Sequence, residues 1–216
     1  MASILFLDVE GAFPNAVTDQ LLHNLRKQRI PNTYIKFITQ LLTNRRTKIK
    51  FNDYISEMME ITNGIGQGDP LSMLLYILYN ADLLKIPDTD QNEDALGYID
   101  DIAFIAIGDN YHEMTAKLKN IMEKQNGGLD WSKSHNSHFE ITKLVILHTS
   151  RRTIVDPEVN ARHVPLPKLP LEINNQIISE VPHYKYLGIL IDSQLRWKEQ
   201  DQKVVANATK WLLQFR

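Results

Sequence analysis

The chain has 216 residues, of which 43% are hydrophobic, 24 are Lys or Arg, 26 are Asp or Glu and none is Cys. This composition predicts a globular protein of one or two domains and excludes a disulfide scaffold, a Cys-ligated zinc site and thiol redox chemistry. The longest apolar runs fall far short of the roughly 20 residues that a membrane-spanning helix needs, and the start of the chain lacks the basic region of a signal peptide, so we expect an intracellular protein that does not enter a membrane.

The net charge of −2 is unevenly distributed along the chain. Residues 1–50 carry 8 basic and 3 acidic side chains (+5), residues 51–110 carry 1 and 12 (−11), and residues 111–216 carry 15 and 11 (+4). Chance explains such a pattern as well as function does, because residues that are close in the sequence need not form one patch on the protein surface. The functional alternative is a carboxylate-rich cation site beside surfaces that hold a polyanion.

The first third of the chain predicts one strand and two helices. The apolar run Ser3 to Asp8 reads as a buried strand that ends at Asp8. One helix should follow Pro14 and a second should follow Pro31. In the second helix an apolar stripe at positions i, i+3, i+4, i+7 and i+8 predicts the face that packs on the core: Tyr34, Phe37, Ile38, Leu41 and Leu42.

The middle of the chain predicts two hairpins separated by a loop and a helix. Residues 47–51 and 55–61 form the first hairpin, and residues 63–70 form a loop whose three glycines permit close approaches that side chains would block. Pro70 suits the first turn of a helix that runs to about Leu84. Residues 95–98 and 102–107 then form a tight hairpin with two adjacent carboxylates at its tip.

The remainder predicts a helix over 110–124 that Gly127 and Gly128 end, a strand over 143–148 and a long, flexible loop over 149–170. Three strands, over 171–174, 176–181 and 184–191, precede a terminal helix. The apolar stripe of that helix, spaced by four, three and four residues, predicts a packing face made of Val204, Ala208, Trp211 and Phe215.

Three carboxylates are candidates for a metal site: Asp8 at the end of a strand, and Asp100 and Asp101 at the tip of a hairpin. If the two elements are neighbours in one sheet, the three acids meet at its edge. Oxygen ligands of this kind suit Mg²⁺ or Mn²⁺, and two such ions about 3.5–4 Å apart support phosphoryl transfer. The alternative is a surface turn, since Asp is common in turns.

Five stretches of the chain resemble, in order and spacing, motifs A to E of reverse transcriptases, and the most similar relatives are non-LTR, LINE-type retrotransposon polymerases. Motif A corresponds to Phe6-Leu-Asp-Val-Glu-Gly-Ala-Phe13, motif B to Asn63-Gly-Ile-Gly-Gln-Gly-Asp-Pro-Leu-Ser72 and motif C to Tyr98-Ile-Asp-Asp101. The motif D region corresponds to Trp131 to Lys143, and motif E, the primer grip, to Tyr184-Lys-Tyr-Leu-Gly188.

The resemblance implies catalytic roles for Asp8, Asp100 and Asp101 as ligands of two Mg²⁺ ions, with Mn²⁺ as a substitute and the Val9 carbonyl as a further ligand. Phe13 is implied as the steric gate that excludes a ribose 2′-hydroxyl. The alternative for Phe13 is core packing.

The resemblance also implies which residues contact the substrates, which are deoxynucleoside triphosphates, an RNA template and a DNA primer. Contacts to the nucleotide or the primer end are implied for Gly66, Gln67, Gly68, Tyr98 and Lys143, and the primer grip for Tyr186, Leu187 and Gly188. The residues themselves suggest phosphate contacts for four basic side chains, Arg45, Arg46, Lys48 and Lys50, although a solvated hairpin face explains these equally well.

The fold that the resemblance implies is an α+β palm with an antiparallel sheet covered on one face by helices. Residues 1–195 would be the palm and residues 196–216 the start of a thumb helix, with the fingers absent and the thumb truncated. Two functions follow: an RNA-directed DNA polymerase domain of a retrotransposon, or a non-catalytic remnant that keeps the fold and weak metal or nucleic-acid binding. A nuclear location is expected from the resemblance alone, and the oligomeric state is left open.

Overall fold

Helices and strands alternate irregularly along the chain, and the structure, a computed structural model, describes residues 1–156 and 162–215. The helices are α1 (Ala12–Asn15), α2 (Thr18–Lys27), α3 (Asn32–Leu42), α4 (Pro70–Asn80), α5 (Tyr111–Glu123), α6 (Gly128–Ser134) and α7 (Lys198–Gln214). The strands are β1 (Ala2–Leu7), β2 (Arg45–Thr47), β3 (Lys50–Phe51), β4 (Tyr54–Ile55), β5 (Met59–Ile61), β6 (Glu93–Tyr98), β7 (Asp101–Ile107), β8 (Val145–Thr149), β9 (Thr153–Val155), β10 (His163–Pro165), β11 (Glu172–Ile173), β12 (Gln176–Ile177), β13 (Ser179–Glu180), β14 (His183–Tyr186) and β15 (Ile189–Asp192).

The framework is a five-stranded sheet with the order β13-β8-β1-β7-β6. Strand β1 lies at its centre and pairs antiparallel with both β7 and β8, while β6 and β7 form the predicted hairpin. The sheet is antiparallel as predicted except at one edge, where β13 pairs parallel with β8. A parallel pair requires a long connection between its strands, and residues 150–178 supply it.

One face of the sheet packs against helices and forms the main core. Leu5 and Leu7 of β1 alternate with residues of the opposite face, as the two-residue period of a strand requires, and pack with Phe104 of β7. Helix α5 lies within the range predicted for it and covers this face with Met114 and Leu118, both fully buried.

The opposite face carries a smaller cluster in which Phe6, Ala103 and Leu147 pack against the tyrosines of β14. The prediction of one strand over 184–191 is wrong, because the chain reverses at Leu187 and Gly188 and pairs β14 with β15. Both turn residues have positive φ, 48° and 86°, which is the geometry of a tight hairpin whose twist matches its strands.

Helix α3 begins after Pro31 as predicted but presents a different face to the core. Its buried residues are Ile35, Ile38 and Leu42, whereas the side chains of Tyr34 and Phe37 are 62% and 57% exposed. The helix carries two adjacent apolar stripes, and its contacts with α2 help to decide which one is covered. The predicted stripe therefore included one exposed flank.

Three further elements differ from the sequence prediction. Helix α5 already ends at Glu123, and Gly127, predicted to end that helix, is the N-cap residue of α6. The segment 149–170, predicted as a flexible loop, contains the antiparallel pair β9–β10, while its residues 157–161 lie outside the described residues. Helix α7 buries none of its residues, so its predicted packing face is uncovered, and Trp211 and Phe215 contact each other at a ring-centroid distance of 4.6 Å. Among the described residues, no helix combines the length and the apolar character needed to cross a membrane.

Candidate active site

The three carboxylates lie at one end of the two central strands. Leu7 pairs with Ile102 in the antiparallel ladder, so the next step along each strand sets Asp8 opposite Asp101. Asp101 also pairs with Tyr98 across the β6–β7 hairpin, which leaves Ile99 and Asp100 as its two-residue turn. The two elements are therefore neighbours in one sheet, and the acids lie where their strands end.

The turn that carries the acid pair has an unusual backbone. Ile99 adopts φ 59°, although it is β-branched, while Asp100 is not among the residues with positive φ. Positive φ at the first central residue alone is the pattern of a type II′ turn, where Gly is the usual residue. The side-chain amide of Asn80, at the end of α4, donates a hydrogen bond to the Ile99 carbonyl.

The negative charges of the neighbouring acids affect the pKa of Asp101. Partial burial, followed by the negative charges of Asp100 and Asp8, raises the pKa of Asp101. Burial and then the charges of Asp101 and Asp8 raise the pKa of Tyr184, which keeps that hydroxyl protonated. Like charges held close together without a compensating cation have this effect, and a bound cation would relieve it.

Lys143 is the basic group beside the acids. It lies in a single 3-10 turn, Ile141–Lys143, just before β8 and not in the strand predicted from residue 143. Its ammonium lies 3.6 Å from a carboxylate oxygen of Asp8 and forms a closer ion pair with Glu140. Hydrogen bonding and charge from Glu140, and then the charge of Asp8, raise the pKa of Lys143. Glu140 was not predicted, because one more acid in a polar segment gives no signal in a sequence.

The residues implied to contact the nucleotide surround α1 and the loop before α4. Phe13 is half-buried and its ring stacks on Tyr76 with a centroid distance of 5.1 Å. The backbone N–H of Ile65 donates to the Phe13 carbonyl at 2.8 Å, so this loop is tied to α1. Further along the loop, Gln67 is exposed, and a Cβ on Gly68 would meet no atom within 4 Å.

The loop ends where α4 begins. The side chain of Asp69 accepts a hydrogen bond from the Leu71 N–H, which caps the helix, and Pro70 occupies its first turn as predicted. The other loop glycine of interest, Gly66, is also at the surface, where an added Cβ would make an ordinary 3.7 Å contact with Ser72.

Strand β14 supports the acid pair from the opposite face of the sheet. The Tyr184 ring stacks on Phe6 at 3.9 Å between centroids, and the Tyr186 hydroxyl donates to the Asp101 carbonyl at 3.1 Å. Residues two apart in a strand point to the same face, so the spacing of Tyr184 and Tyr186 in the sequence indicates that both rings pack on one side. Leu187 and Gly188 form the turn beyond them.

The four basic residues proposed for phosphate contacts lie on or beside the β2–β5 and β3–β4 ladders, which are separate from the five-stranded sheet. The Arg45 guanidinium donates to the carbonyls of Leu42 and Asn63, both at 3.0 Å, so it stabilises the end of α3 and the glycine loop. Arg46 lies 3.7 Å from a carboxylate oxygen of Glu60. Lys48 and Lys50 are exposed to solvent on the same arm.

The site fits a divalent metal by the chemistry of its donors. Asp8, Asp100 and Asp101 offer only carboxylate oxygens, the ligands that hard cations prefer, and their mutual repulsion favours a bound cation. The remaining metal candidate, the carbonyl of Val9, belongs to the residue that bridges to Phe139 just after Asp8. As they stand in the described part of the chain, no three His, Cys, Asp or Glu side chains are grouped closely enough to enclose an ion.

Comparison with known proteins identifies the family. Residues 2–191 match the model of the reverse transcriptase (RNA-dependent DNA polymerase) family. The chain is 26% identical over 204 residues to a probable RNA-directed DNA polymerase from transposon X-element, and 24% identical over 194 residues to the RNA-directed DNA polymerase from mobile element jockey, both of Drosophila melanogaster. It is 23% identical over 200 residues to a Pol polyprotein of the type-1 retrotransposable element R2 of Nasonia vitripennis. The chain belongs to the reverse transcriptase family, and these relatives are polymerases of non-LTR retrotransposons.

The comparisons also show how much of such proteins the chain represents. The matches cover 90%, 88% and 88% of the chain but only 20%, 19% and 18% of the three relatives, so the chain spans about a fifth of their length. Apo telomerase of Candida tropicalis has a similar fold, with a TM-score of 0.58 at 9% identity over 90% of this chain and 32% of that one. Telomerase of Candida albicans, in a complex with a fragment of telomeric RNA, gives a TM-score of 0.57 at 11% identity over 90% and 31%. These structural likenesses support the predicted α+β, reverse-transcriptase-like palm.

Proposed function

We propose that this chain provides the palm of an RNA-directed DNA polymerase that adds deoxynucleotides to the 3′-hydroxyl of a primer on an RNA template. Residues 1–195 form the palm, and α7 begins the thumb. The observation that carries the proposal is the register of β1 and β7, which sets Asp8 opposite Asp101 and next to Asp100 at one end of the central strands.

The acids bind the metal ions in this proposal. Asp8 and Asp100 are the principal ligands of two Mg²⁺ ions, Asp101 assists, the Val9 carbonyl adds an oxygen, and Mn²⁺ can replace Mg²⁺. Bound ions of this kind activate an attacking hydroxyl and stabilise the leaving oxygen. The raised pKa of Asp101 supports this role, because burial and then the charges of Asp100 and Asp8 disfavour its ionised form, and a bound cation would favour it.

The groups around the acids orient the nucleotide. Lys143, 3.6 Å from Asp8, stabilises negative charge on the departing pyrophosphate. The Phe13 ring, held by its stack on Tyr76, occupies the space of a ribose 2′-hydroxyl and so selects deoxynucleotides. The backbone around Gly66, Gln67 and Gly68 approaches the nucleotide, as the open space beside Gly68 permits.

The nucleic acid contacts two separate surfaces. Tyr98, at the end of β6, and the β14 turn of Tyr186, Leu187 and Gly188 position the primer end. Lys48 and Lys50 on the exposed arm, together with Arg46, bind template phosphates. Phosphate contacts make affinity depend on salt, so replacing either Lys with Ala should lower the slope of log affinity against log salt by about 1. Arg45 contributes indirectly, since both of its contacts are to backbone carbonyls.

A primer-extension experiment tests the proposal. The chain is incubated with an RNA template, a DNA primer, deoxynucleotides and Mg²⁺, and Mn²⁺ binding is measured separately by electron paramagnetic resonance. Asp100→Asn should abolish extension and weaken Mn²⁺ binding, whereas Asp94→Asn, on the same hairpin but opposite Ile105, should change neither. In the same assay Phe13→Ala should increase ribonucleotide incorporation. Extension that survives Asp100→Asn would refute the assignment of the acids.

One observation favours the second function, a non-catalytic remnant: in the described residues, the acids do not enclose a metal position as they stand. A remnant would keep the fold and bind metal or nucleic acid weakly. It would extend no primer at any protein concentration, with Mg²⁺ or with Mn²⁺, and the same experiment therefore separates the two functions.

A further inference from the structure

The acid pair is carried by a backbone that needs external support. Ile99, at the first central position of the turn, has φ 59°. L-amino acids rarely adopt this conformation, and β-branched residues disfavour it most. Such residues persist only where neighbouring groups hold them in place. The groups that hold this turn therefore influence where the carboxylates of Asp100 and Asp101 point.

Two hydrogen bonds reach the turn from opposite faces of the sheet. From the helical face, the Asn80 side chain donates to the Ile99 carbonyl, and Asn80 is only 2% exposed. From the other face, the Tyr186 hydroxyl donates to the Asp101 carbonyl at 3.1 Å. The two acceptors flank Asp100, so the backbone is fixed on both sides of the central acid.

We propose that Asn80 and Tyr186 are positioning residues that hold this turn, with its positive φ at Ile99, in place and thereby orient the acid pair. Asn80 is suited to the task because a buried amide without a partner is costly, so the side chain and the Ile99 carbonyl satisfy each other. The stack of Tyr184 on Phe6 anchors β14, and Tyr186 therefore acts from a fixed strand. The expected effect on metal binding rests on the proposed function, whereas the effect on the turn does not.

Hydrogen exchange measured by mass spectrometry on the full chain tests the turn directly. In Asn80→Ala, amides in the peptide 96–103 should exchange roughly tenfold faster than in the wild type, as expected for the loss of one ordinary hydrogen bond, while those of β8 should not change. Tyr186→Phe keeps the ring and removes only the hydroxyl, and it should accelerate exchange in the same peptide. Because Tyr186 lies on a half-exposed strand, this variant decides the question if Asn80→Ala does not fold.

Asn24 provides a matched control. It is 1% exposed, and its side-chain amide donates to the Tyr79 carbonyl at 2.8 Å, so it is another buried Asn bonded to a backbone carbonyl. Asn24→Ala should change exchange in α2 and α4 and leave the peptide 96–103 unaffected. Unchanged exchange of that peptide in Tyr186→Phe, or equal acceleration in the Asn24 and Asn80 variants, would overturn the proposal.

Metal binding separates this inference from the proposed function. Groups that orient metal ligands typically change affinity by roughly 10- to 100-fold, so Asn80→Ala should weaken Mn²⁺ binding by about that factor and Asn24→Ala should not. A wild-type chain that binds no Mn²⁺ would refute the proposed metal site, and the exchange experiment would still decide whether Asn80 and Tyr186 hold the turn. Wild-type Mn²⁺ affinity in a folded Asn80→Ala variant would overturn the orienting role.

Discussion

The connection between the β14–β15 hairpin and α7 depends on a single buried carboxylate, and its removal should destabilise the protein measurably. Asp192 accepts four hydrogen bonds from three backbone N–H groups, those of Gln194, Arg196 and Trp197, at 2.7–3.0 Å. It also holds a loop in which Leu195 and Trp197 both have positive φ. Hydrogen bonds to a charged group are worth about 1.5–3 kcal/mol each, but water can replace some of them at this surface loop, so we expect Asp192→Ala to cost about 3 kcal/mol.

Denaturation in urea at pH 7 measures this cost, with Asp53→Ala at an exposed hairpin tip as the control that should change stability by less than about 0.5 kcal/mol. Asp192→Asn keeps one acceptor oxygen and should lose about half as much as Asp192→Ala. Burial alone raises the pKa of Asp192, but the backbone donors outweigh it and leave the pKa lowered from 3.8, so this stabilisation is present above that pH and is lost as the pH falls through the folded-state pKa. Equal stability of the wild type and Asp192→Ala at pH 7 would refute the reasoning.

Two further predictions concern buried groups elsewhere. Burial lowers the pKa of His148 and of His135 below 6.5, so the unfolded state takes up protons first as the pH falls. Stability should therefore drop as the pH falls below 6.5, by up to about 1.4 kcal/mol per pH unit for each His. His148→Gln should remove about half of this slope, and an unchanged slope in urea denaturation would contradict the prediction. Gly64 has φ 89°, and an added Cβ would lie 2.7 Å from the Pro14 carbonyl oxygen. Gly64→Ala should therefore lower the free energy of unfolding by about 2–4 kcal/mol in urea denaturation. Gly68→Ala is the control, because Gly68 has a similar φ but open space around it, and it should lower that free energy by only about 1 kcal/mol.

Local patterns predicted the elements that hold the acids. The apolar run of β1 and the tight β6–β7 hairpin were predictable, whereas the pairing of β1 with β7, which brings Asp8 to Asp101, was left open by the sequence. Helix α5 was equally predictable, because only one apolar stripe is available to it. Helix α3 was not, since Tyr34 and Ile35 begin two adjacent stripes of similar character, and the choice between them depends on tertiary contacts.

The supporting contacts of the site could not be predicted from local patterns. Asn80 ends an apolar helix, where a polar residue is unremarkable, and its contact to Ile99 depends on how α4 docks against the hairpin. Arg45 shows the same difficulty, because a basic residue beside other basic residues suggests phosphate binding, whereas the bonds of its guanidinium to two backbone carbonyls could not be predicted. In both cases the hydrogen-bond acceptor is a backbone carbonyl, which every residue has, so the sequence does not indicate which carbonyl is used.

Under the proposed function, the positions of these groups in the fold separate a rigid candidate metal site from an adaptable candidate nucleic-acid surface. Asp8 and Asp101 extend from β1 and β7, which have hydrogen-bonded neighbours on both sides, so little conformational entropy remains to be lost when an ion binds. Lys48 and Lys50 belong to an arm of two-stranded ladders, which are marginally stable on their own. Ordering that arm reduces the net affinity for a template. Weak activity of this chain should therefore reflect weak template and primer binding more than a loss of metal affinity.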